Sequence, residues 1–168
     1  MTADKKRKIR KLRMKSAQLA SLDRKLLAEL QKDVSLNSEI LGDRIGLSAS
    51  AVLRRLKTLR RAGVITSEVA VLDADATGYS LTLVALIELE RENVSSRGNL
   101  NRWCCEQAQV QQAYYTTGST DLILVVLAKS IPDFDALMSA LQEANPTVRR
   151  ITTNVTIEVF KKGLEVPL

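Results

Sequence analysis

Residues 46–65 read GLSASAVLRRLKTLRRAGVI, and this stretch decides the fold of the first third of the chain. Ser48 is the predicted N-cap of a helix, because its hydroxyl oxygen can accept a hydrogen bond from a backbone N–H of the first turn. Gly63 is the predicted end of that helix, since glycine readily adopts the left-handed conformation that closes many helices. Gly46 is predicted to close the preceding helix in the same way, so a tight turn joins the two helices.

This predicted helix has two faces of opposite character. At 100° per residue, one face within about 60° carries the apolar side chains of Val52, Leu56 and Leu59. The opposite face, also within about 60°, carries Ser50, Arg54, Lys57 and Arg61. A solvated charged face on an ordinary helix is the plain alternative to a binding surface.

Two further helices are predicted before the turn, at residues 22–32 and 38–45. Ser21 and Asn37 are their predicted N-caps. Three short helices with a tight turn before the last one are typical of a helix-turn-helix, whose last helix enters the major groove of DNA. Residues 64–72 form a strand-like run that would follow this domain.

Charge is distributed unevenly along the chain. Residues 1–21 hold eight Lys and Arg against one Asp, a net charge of +7. Residues 22–66 carry nine basic and five acidic residues, and residues 67–168 carry eight basic and thirteen acidic residues. A polyanionic partner for the N-terminal part is therefore expected. One alternative is that the basic residues form a solvated tail without a target. Another is that the natural protein starts at Met14.

The second half of the chain alternates between strand and helix patterns. The predicted strands are residues 81–90, 110–117, 122–129 and 148–160, and the predicted helices are residues 97–108 and a segment capped by Ser130 that ends before Pro146. The order β-α-β-β-α-β is that of a ferredoxin-like domain. Residues 118–121, Gly-Ser-Thr-Asp, form the predicted turn between the second and third strands.

Several classes of site are excluded or disfavoured by composition. The chain contains no histidine, which removes histidine-based metal sites and Ser-His-Asp or Cys-His catalysis. Cys104 and Cys105 are adjacent, so they are predicted to be buried or half-buried helix residues rather than a disulfide or metal motif. Neither a phosphate-binding loop nor a dinucleotide fingerprint occurs. We expect no metal, no cofactor, no enzymatic activity and no membrane span, and a cytoplasmic, nucleoid-associated location.

The pattern resembles the Lrp/AsnC (leucine-responsive or feast/famine) transcriptional regulators over about residues 22–165. The resemblance is carried by residues 22–33 and 46–65, by residues 70–73 with Gly78, and by the turn at 118–121, which is similar to the family's G-x-Y-D effector loop. Thr120 stands where the family has tyrosine. Gly42 stands where alanine is common, which is expected to loosen the second helix.

The resemblance implies an α+β protein in which a winged helix-turn-helix precedes a ferredoxin-like βαββαβ domain that binds effector and oligomerises. It also implies a sequence-specific transcriptional regulator that binds double-stranded DNA as a homodimer, with tetramers or octamers, and that responds to an amino-acid-like effector. The DNA-contacting candidates, counting the basic stripe, are Ser48, Ser50, Arg54, Arg55, Lys57 and Arg61. The effector-binding candidates are Gly118, Ser119, Thr120 and Asp121, with Thr152, Thr153 and Asn154 as weaker ones.

The predicted organisation has five segments: a basic arm at 1–20, the DNA-binding domain at 21–66, a connector at 67–80, the effector and oligomerisation domain at 81–162 and a tail at 163–168. A non-specific architectural DNA-binding protein of the nucleoid is the main alternative function. A sirohaem decarboxylase, known among proteins similar to this family, is disfavoured by the lack of histidine. The turn at 118–121 is also good turn chemistry without a ligand.

Overall fold

A computed structural model of the chain describes residues 19–90 and 94–168. The chain divides into two compact units, of which the second is Val71–Lys161, while the first extends up to Ala70 and includes Lys162–Leu168. The passage from one unit to the other at residues 70 and 71 falls within the predicted connector. Apart from residues 19 and 20, the predicted basic arm and the candidate start at Met14 lie outside the described residues.

The first unit contains a three-helix domain. Its helices are α1 (Ser21–Lys32), α2 (Ser38–Ile45) and α3 (Ala49–Arg61). One side chain from each helix is fully buried at the centre, namely Leu26, Leu41 and Val52. Each helix places its apolar residues at helical spacing, so all three bury one face in a common core.

Side chains cap two of the three helices as predicted. The Asn37 side chain accepts hydrogen bonds from the backbone N–H groups of Glu39 and Ile40. Ser48 Oγ accepts one from the N–H of Ala51 at 3.3 Å. The prediction of Ser21 as N-cap was wrong, because Ala20 holds that position without a side-chain hydrogen bond and Ser21 is already helical.

The turn between α2 and α3 depends on a buried glycine. The backbone N–H of Leu47 donates to the carbonyl oxygen of Gly42 at 2.9 Å. A Cβ added at Gly42 would lie 2.3 Å from the carbonyl oxygen of Leu47, which is closer than Cβ atoms approach other heavy atoms in proteins. The expectation that Gly42 merely loosens α2 is therefore corrected, since the missing side chain lets the turn close.

The segment after α3 is not a strand, contrary to the prediction for residues 64–72. Gly63 adopts a left-handed conformation with φ of 70°. Val64 and Ile65 then pack against the three-helix core. Beyond them the backbone pairs with no strand of the described residues, which explains why the β-like sequence pattern is not realised.

The C-terminal residues contact α1 within the same unit. The side-chain amide of Gln31 donates to the carbonyl oxygen of Val166 at 3.1 Å. Its amide oxygen accepts a hydrogen bond from the backbone N–H of Val166 at 2.8 Å. The predicted tail at 163–168 is thus fastened to the end of α1.

The second unit is a four-stranded antiparallel sheet with two helices. Its elements are β1 (Leu81–Leu89), α4 (Val94–Glu106), β2 (Val110–Tyr115), β3 (Leu122–Ala128), α5 (Ile131–Ala144) and β4 (Val148–Val155). The strand order is β2-β3-β1-β4. This is the predicted ferredoxin-like arrangement, and the α+β fold class is confirmed.

Both helices cover the same face of the sheet. Alternate residues of β1 and β3 are fully or almost fully buried, as period-2 alternation requires. They pack against apolar side chains of α4 and α5, including Leu100, Leu137 and Leu141. Ser130 caps α5 by accepting the backbone N–H of Asp133, as predicted.

Two strands end earlier than predicted. β4 stops at Val155 rather than at residue 160, because Val155 pairs with Leu83 and β1 begins only two residues before it. β2 stops at Tyr115, since the backbone N–H of Thr116 turns to donate to the carbonyl oxygen of Asp121. Among the described residues, no helix is both long enough and apolar enough to cross a membrane.

Candidate nucleic-acid interface and effector loop

The exposed side of α3 carries the predicted basic stripe. Ser50, Arg54, Lys57 and Arg61 are exposed, whereas Val52, Leu56 and Leu59 on the opposite side are buried. The amphipathic pattern therefore docks the helix on α1 and α2 and leaves the hydroxyl and the cations facing solvent.

The cationic side chains of this stripe have no acidic partner in the described part of the chain. Within residues 19–90 and 94–168, Arg54, Lys57 and Arg61 form no ion pair with an acidic side chain. Glu68 of the same unit pairs instead with Arg60, at 2.7 Å. A positive surface without counter-charges attracts a polyanion at long range and can bind its phosphates.

Arg55 occupies a different environment from the stripe. Its Nη1 lies 2.7 Å from Oδ1 of Asp23, and only 31% of its side chain and 19% of that of Asp23 are exposed. This ion pair links α3 to the first turn of α1. Arg55, one of the predicted DNA contacts, is therefore engaged in an ion pair within the domain.

The two serines at the start of α3 lie close together. Ser48 Oγ is 3.2 Å from Ser50 Oγ, and both residues are exposed. Ser48 Oγ also accepts the N–H of Ala51 as the N-cap. Hydroxyl groups at an exposed helix N-terminus, where the backbone dipole is positive, are suited to contact a phosphate.

A second ion-pair cluster joins α1 to α2. Glu29 pairs with Lys32 at 2.6 Å and with Arg44 at 2.7 Å. The hydrogen bond from Lys32, followed by that from Arg44, lowers the pKa of the Glu29 carboxyl. The relative placement of all three helices is thus supported by charged contacts outside the apolar core.

The turn at residues 118–121 is a compact loop between β2 and β3. Gly118 has φ of 123°, a conformation that side-chain-bearing residues rarely adopt. Thr116 Oγ1 donates to the carbonyl oxygen of Thr120 at 2.5 Å. Ser119 is exposed at the tip, while Thr120 is half-buried.

Asp121 is tied into the sheet. Its backbone N–H donates to the carbonyl oxygen of Ile87 at 3.0 Å. Its Oδ2 accepts a hydrogen bond from the backbone N–H of Leu89 at 2.7 Å. Part of the acceptor capacity of this candidate effector residue is therefore used by β1.

Thr153 and Asn154 are not assembled with this turn in one chain. Thr153 and Asn154 lie on β4, where they pair with Ala85 and Val84 of β1. Since the strand order is β2-β3-β1-β4, β1 separates them from β3. Strand spacing and rise place Thr153 about 12 Å from Leu122, the residue after the turn. The two side chains also point to opposite faces of the sheet, because successive residues of a strand alternate.

A depression that the sequence did not predict lies beside the turn, on the helix side of the sheet. Residues of α4, β2 and β3 line it, namely Arg97, Leu100, Asn101, Cys104, Ala113, Tyr115 and Leu122. The guanidinium of Arg97 stacks over the Tyr115 ring, 4.0 Å from its centroid. Arg97 stood at the expected start of a helix, and only the helix-to-strand packing places it over Tyr115.

Family models match both units of the chain. A model described as winged helix-turn-helix DNA-binding matches residues 19–66. A model described as the Lrp/AsnC ligand binding domain matches residues 82–166. The first match spans the three helices, and the second spans the sheet with its two helices.

Three proteins similar to this chain are named as regulators. The regulator y4tD of Sinorhizobium fredii is 32% identical over 90% of this chain and 89% of its own length. AzlB of Bacillus subtilis is 32% identical over 89% of this chain and 96% of its own length. The leucine-responsive regulatory protein of Rhizobium meliloti is 30% identical over 90% and 97%, respectively.

Solved structures have the same fold. An AsnC family transcriptional regulator from Agrobacterium tumefaciens superposes with a TM-score of 0.83 at 27% identity, covering 89% of this chain and 97% of the other. A Neisseria meningitidis transcriptional regulator in complex with L-Met gives a TM-score of 0.82 at 23% identity, again covering 89% and 97%.

Proposed function

The chain belongs to the Lrp/AsnC family and is a DNA-binding transcriptional regulator; we propose that it reads a specific, two-fold symmetric sequence and that a small amino acid modulates this binding. The three similar proteins are named as regulators, and we propose that this chain likewise acts without catalysing a reaction.

The observation that carries the DNA-binding proposal is the basic stripe of α3. Arg54 and Lys57 are the sixth and ninth of the thirteen residues of α3, and Arg61 lies in its last turn. We assign base contacts to Arg54 and Lys57, and phosphate contacts to Arg61 and to the two serines at the helix start. Arg55 contributes indirectly, through its ion pair with Asp23.

A second copy of the chain is the proposed partner of the open face of the sheet. This face carries half-buried aliphatic side chains in the two central strands, namely Val84, Leu86, Ile123, Val125 and Leu127. In the described part of the unit, the core-forming residues of both helices lie on the other face. A contiguous apolar sheet face of this kind is typical of an oligomer interface. Two-fold pairing would present two copies of α3 to a palindromic site.

The depression beside the turn is the proposed effector pocket. A cation and a side-chain amide, from Arg97 and Asn101, are suited to bind the carboxylate of an amino acid. The L-Met complex of the Neisseria regulator supports this class of ligand. The exposed turn at Gly118 and Ser119 would border the ligand, whereas Thr153 and Asn154 are too far away in the same chain.

Quantitative DNA binding tests the proposed function. Fluorescence anisotropy with the upstream region of the protein's own gene, measured at several salt concentrations, should give specific, salt-dependent binding by the wild type. Addition of L-Met or L-Leu should change the affinity, and Arg97→Ala should abolish that response. Equal affinity for a scrambled fragment at every salt concentration would contradict sequence-specific binding and would support an architectural role.

A further inference from the structure

One apolar side chain lies on the exposed side of the recognition helix. Leu53 is 56% exposed, although the other large apolar residues of α3 (Val52, Leu56 and Leu59) are buried. The core of the domain therefore does not account for a leucine at this position.

Two proposed DNA contacts, Ser50 and Lys57, neighbour Leu53 on the helix surface, as do Ala49 and Leu56. Around the helix it lies about 40° from Lys57 and about 60° from Ser50, whereas Arg54 lies about 100° away. It is the fifth residue of α3, within the half of a recognition helix that approaches base edges in helix-turn-helix proteins. With Lys57 in the major groove, Leu53 would lie beside it at the edge of the same surface.

The major groove offers an aliphatic side chain one matching group. Among the base-pair edges exposed there, hydrogen-bond donors and acceptors dominate, and the C5 methyl group of thymine is the apolar exception. Burial of a methyl-sized group against an aliphatic side chain is favourable, whereas apposition to a bare donor or acceptor desolvates it without compensation.

We propose that Leu53 is a specificity-determining residue that packs against the C5 methyl of a thymine in each half-site. The proposal rests on the proposed function, since it requires α3 to read a specific sequence. Arg54 and Lys57 favour guanine, so they do not specify a T·A pair. Leu53 would specify a T·A pair next to the guanine that these cations contact.

In vitro selection from a random duplex library, carried out with the full-length wild type and with Leu53→Ala, tests this assignment. The wild type should enrich a site with an invariant thymine in each half-site. Leu53→Ala should enrich the same site with the preference at that position relaxed, while the neighbouring guanines are retained. Val34→Ala is the matched control, because it removes an aliphatic side chain of similar exposure from the turn after α1.

Replacement of the selected thymine by deoxyuridine in a synthetic duplex isolates the methyl group. The wild type should bind the deoxyuridine duplex about fourfold more weakly per half-site, which corresponds to the burial of one methyl-sized group. Leu53→Ala should bind both duplexes equally, and Val34→Ala should behave like the wild type.

Two results would overturn the assignment. If Leu53→Ala retains the thymine preference, or if both proteins lose the same affinity on the deoxyuridine duplex, Leu53 does not read the methyl group even though sequence-specific binding stands. If the wild type enriches no sequence at all, the proposed function fails, and the assignment fails with it.

Discussion

The carboxylate of Asp121 accepts a 2.7 Å hydrogen bond from the backbone N–H of Leu89, the last residue of β1. The paired register of β1 with β3 ends at Ile87 and Leu122, so the next N–H of β1 on that side, that of Leu89, has no partner in the ladder, and the partly buried carboxylate supplies the acceptor. The effector-loop aspartate therefore has a structural role in this chain.

Asp121→Ala is expected to lower the free energy of unfolding by about 1.5–3 kcal/mol, because it leaves this N–H without an acceptor. Asp121→Asn, which keeps a side-chain oxygen, should lose less. Urea denaturation monitored by circular dichroism measures both, and Ser119→Ala at the exposed tip is the control. An Asp121→Ala protein as stable as the wild type would show that the hydrogen bond is unimportant.

Neighbouring arginines of α3 should give opposite phenotypes. Arg54→Ala should weaken specific DNA binding by roughly 1–3 kcal/mol and leave thermal unfolding unchanged. Arg55→Ala should lower the melting temperature, because it leaves the carboxylate of Asp23 without its partner. Anisotropy and differential scanning calorimetry on both variants separate the two effects. Loss of stability in Arg54→Ala, or none in Arg55→Ala, would contradict the assignment.

Gly42→Ala should destabilise the DNA-binding unit by about 1–3 kcal/mol, despite the higher helix propensity of alanine. The added methyl group would meet the carbonyl oxygen of Leu47, which is backbone and cannot move aside without opening the turn before α3. Chemical denaturation measures the change. Gly98→Ala is the control, because a Cβ at that position has open space around it. A neutral or stabilising Gly42→Ala would contradict this account.

The two cysteines should differ in reactivity. Burial, together with the nearby Cys105, raises the pKa of the Cys104 thiol to about 11. Cys105 is exposed, so the prediction that both are buried or half-buried was right for Cys104 alone. At pH 8 a disulfide reagent should modify one thiol per chain rapidly, and Cys105→Ser should react slowly.

The raised pKa of Cys104 also predicts a pH dependence of stability. The folded state disfavours the thiolate of Cys104. The contribution of Cys104 to the free energy of unfolding is therefore fully present below about pH 9 and is lost as the pH rises towards 11. Between pH 8 and 10.5, the free energy of unfolding of Cys105→Ser should therefore fall more than that of a Cys104→Ala, Cys105→Ser protein. The difference should be on the order of 1 kcal/mol, and identical pH profiles would exclude this effect.

Val125→Arg should convert the proposed dimer into monomers. Val125 is half-buried on the open face of the sheet, where an arginine from each copy would be forced into an apolar interface. Light scattering coupled to size-exclusion chromatography measures the mass. Ile131→Arg, at an exposed position at the start of α5, should retain the wild-type mass. A Val125→Arg protein of unchanged mass would place the interface elsewhere.

The sequence predicted the elements that carry a local signal. Asn37, Ser48 and Ser130 cap helices because each can satisfy a free N–H within three residues, and that pattern is visible in the sequence. The predicted strand at residues 64–72, which does not form, and the predicted extension of β4 over residues 156–160 both depend on a pairing partner that a sequence pattern does not specify.

The candidate sites were predictable to different degrees. The basic stripe of α3 follows from helical periodicity, so Arg54 and Lys57 emerged from the sequence alone. The ion pair of Arg55 joins residues 32 positions apart, and the stacking of Arg97 on Tyr115 joins a helix to a strand. Contacts of this kind arise from tertiary packing, which neither periodicity nor motif spacing encodes.

The ion pair between Asp23 and Arg55 is already formed in the protein without nucleic acid. A helix whose orientation is already set gives up little conformational entropy on association, so more of the contact energy remains as affinity. Removal of this ion pair should therefore make the entropy of DNA binding, measured by calorimetry, more unfavourable, even where the final complex is unchanged.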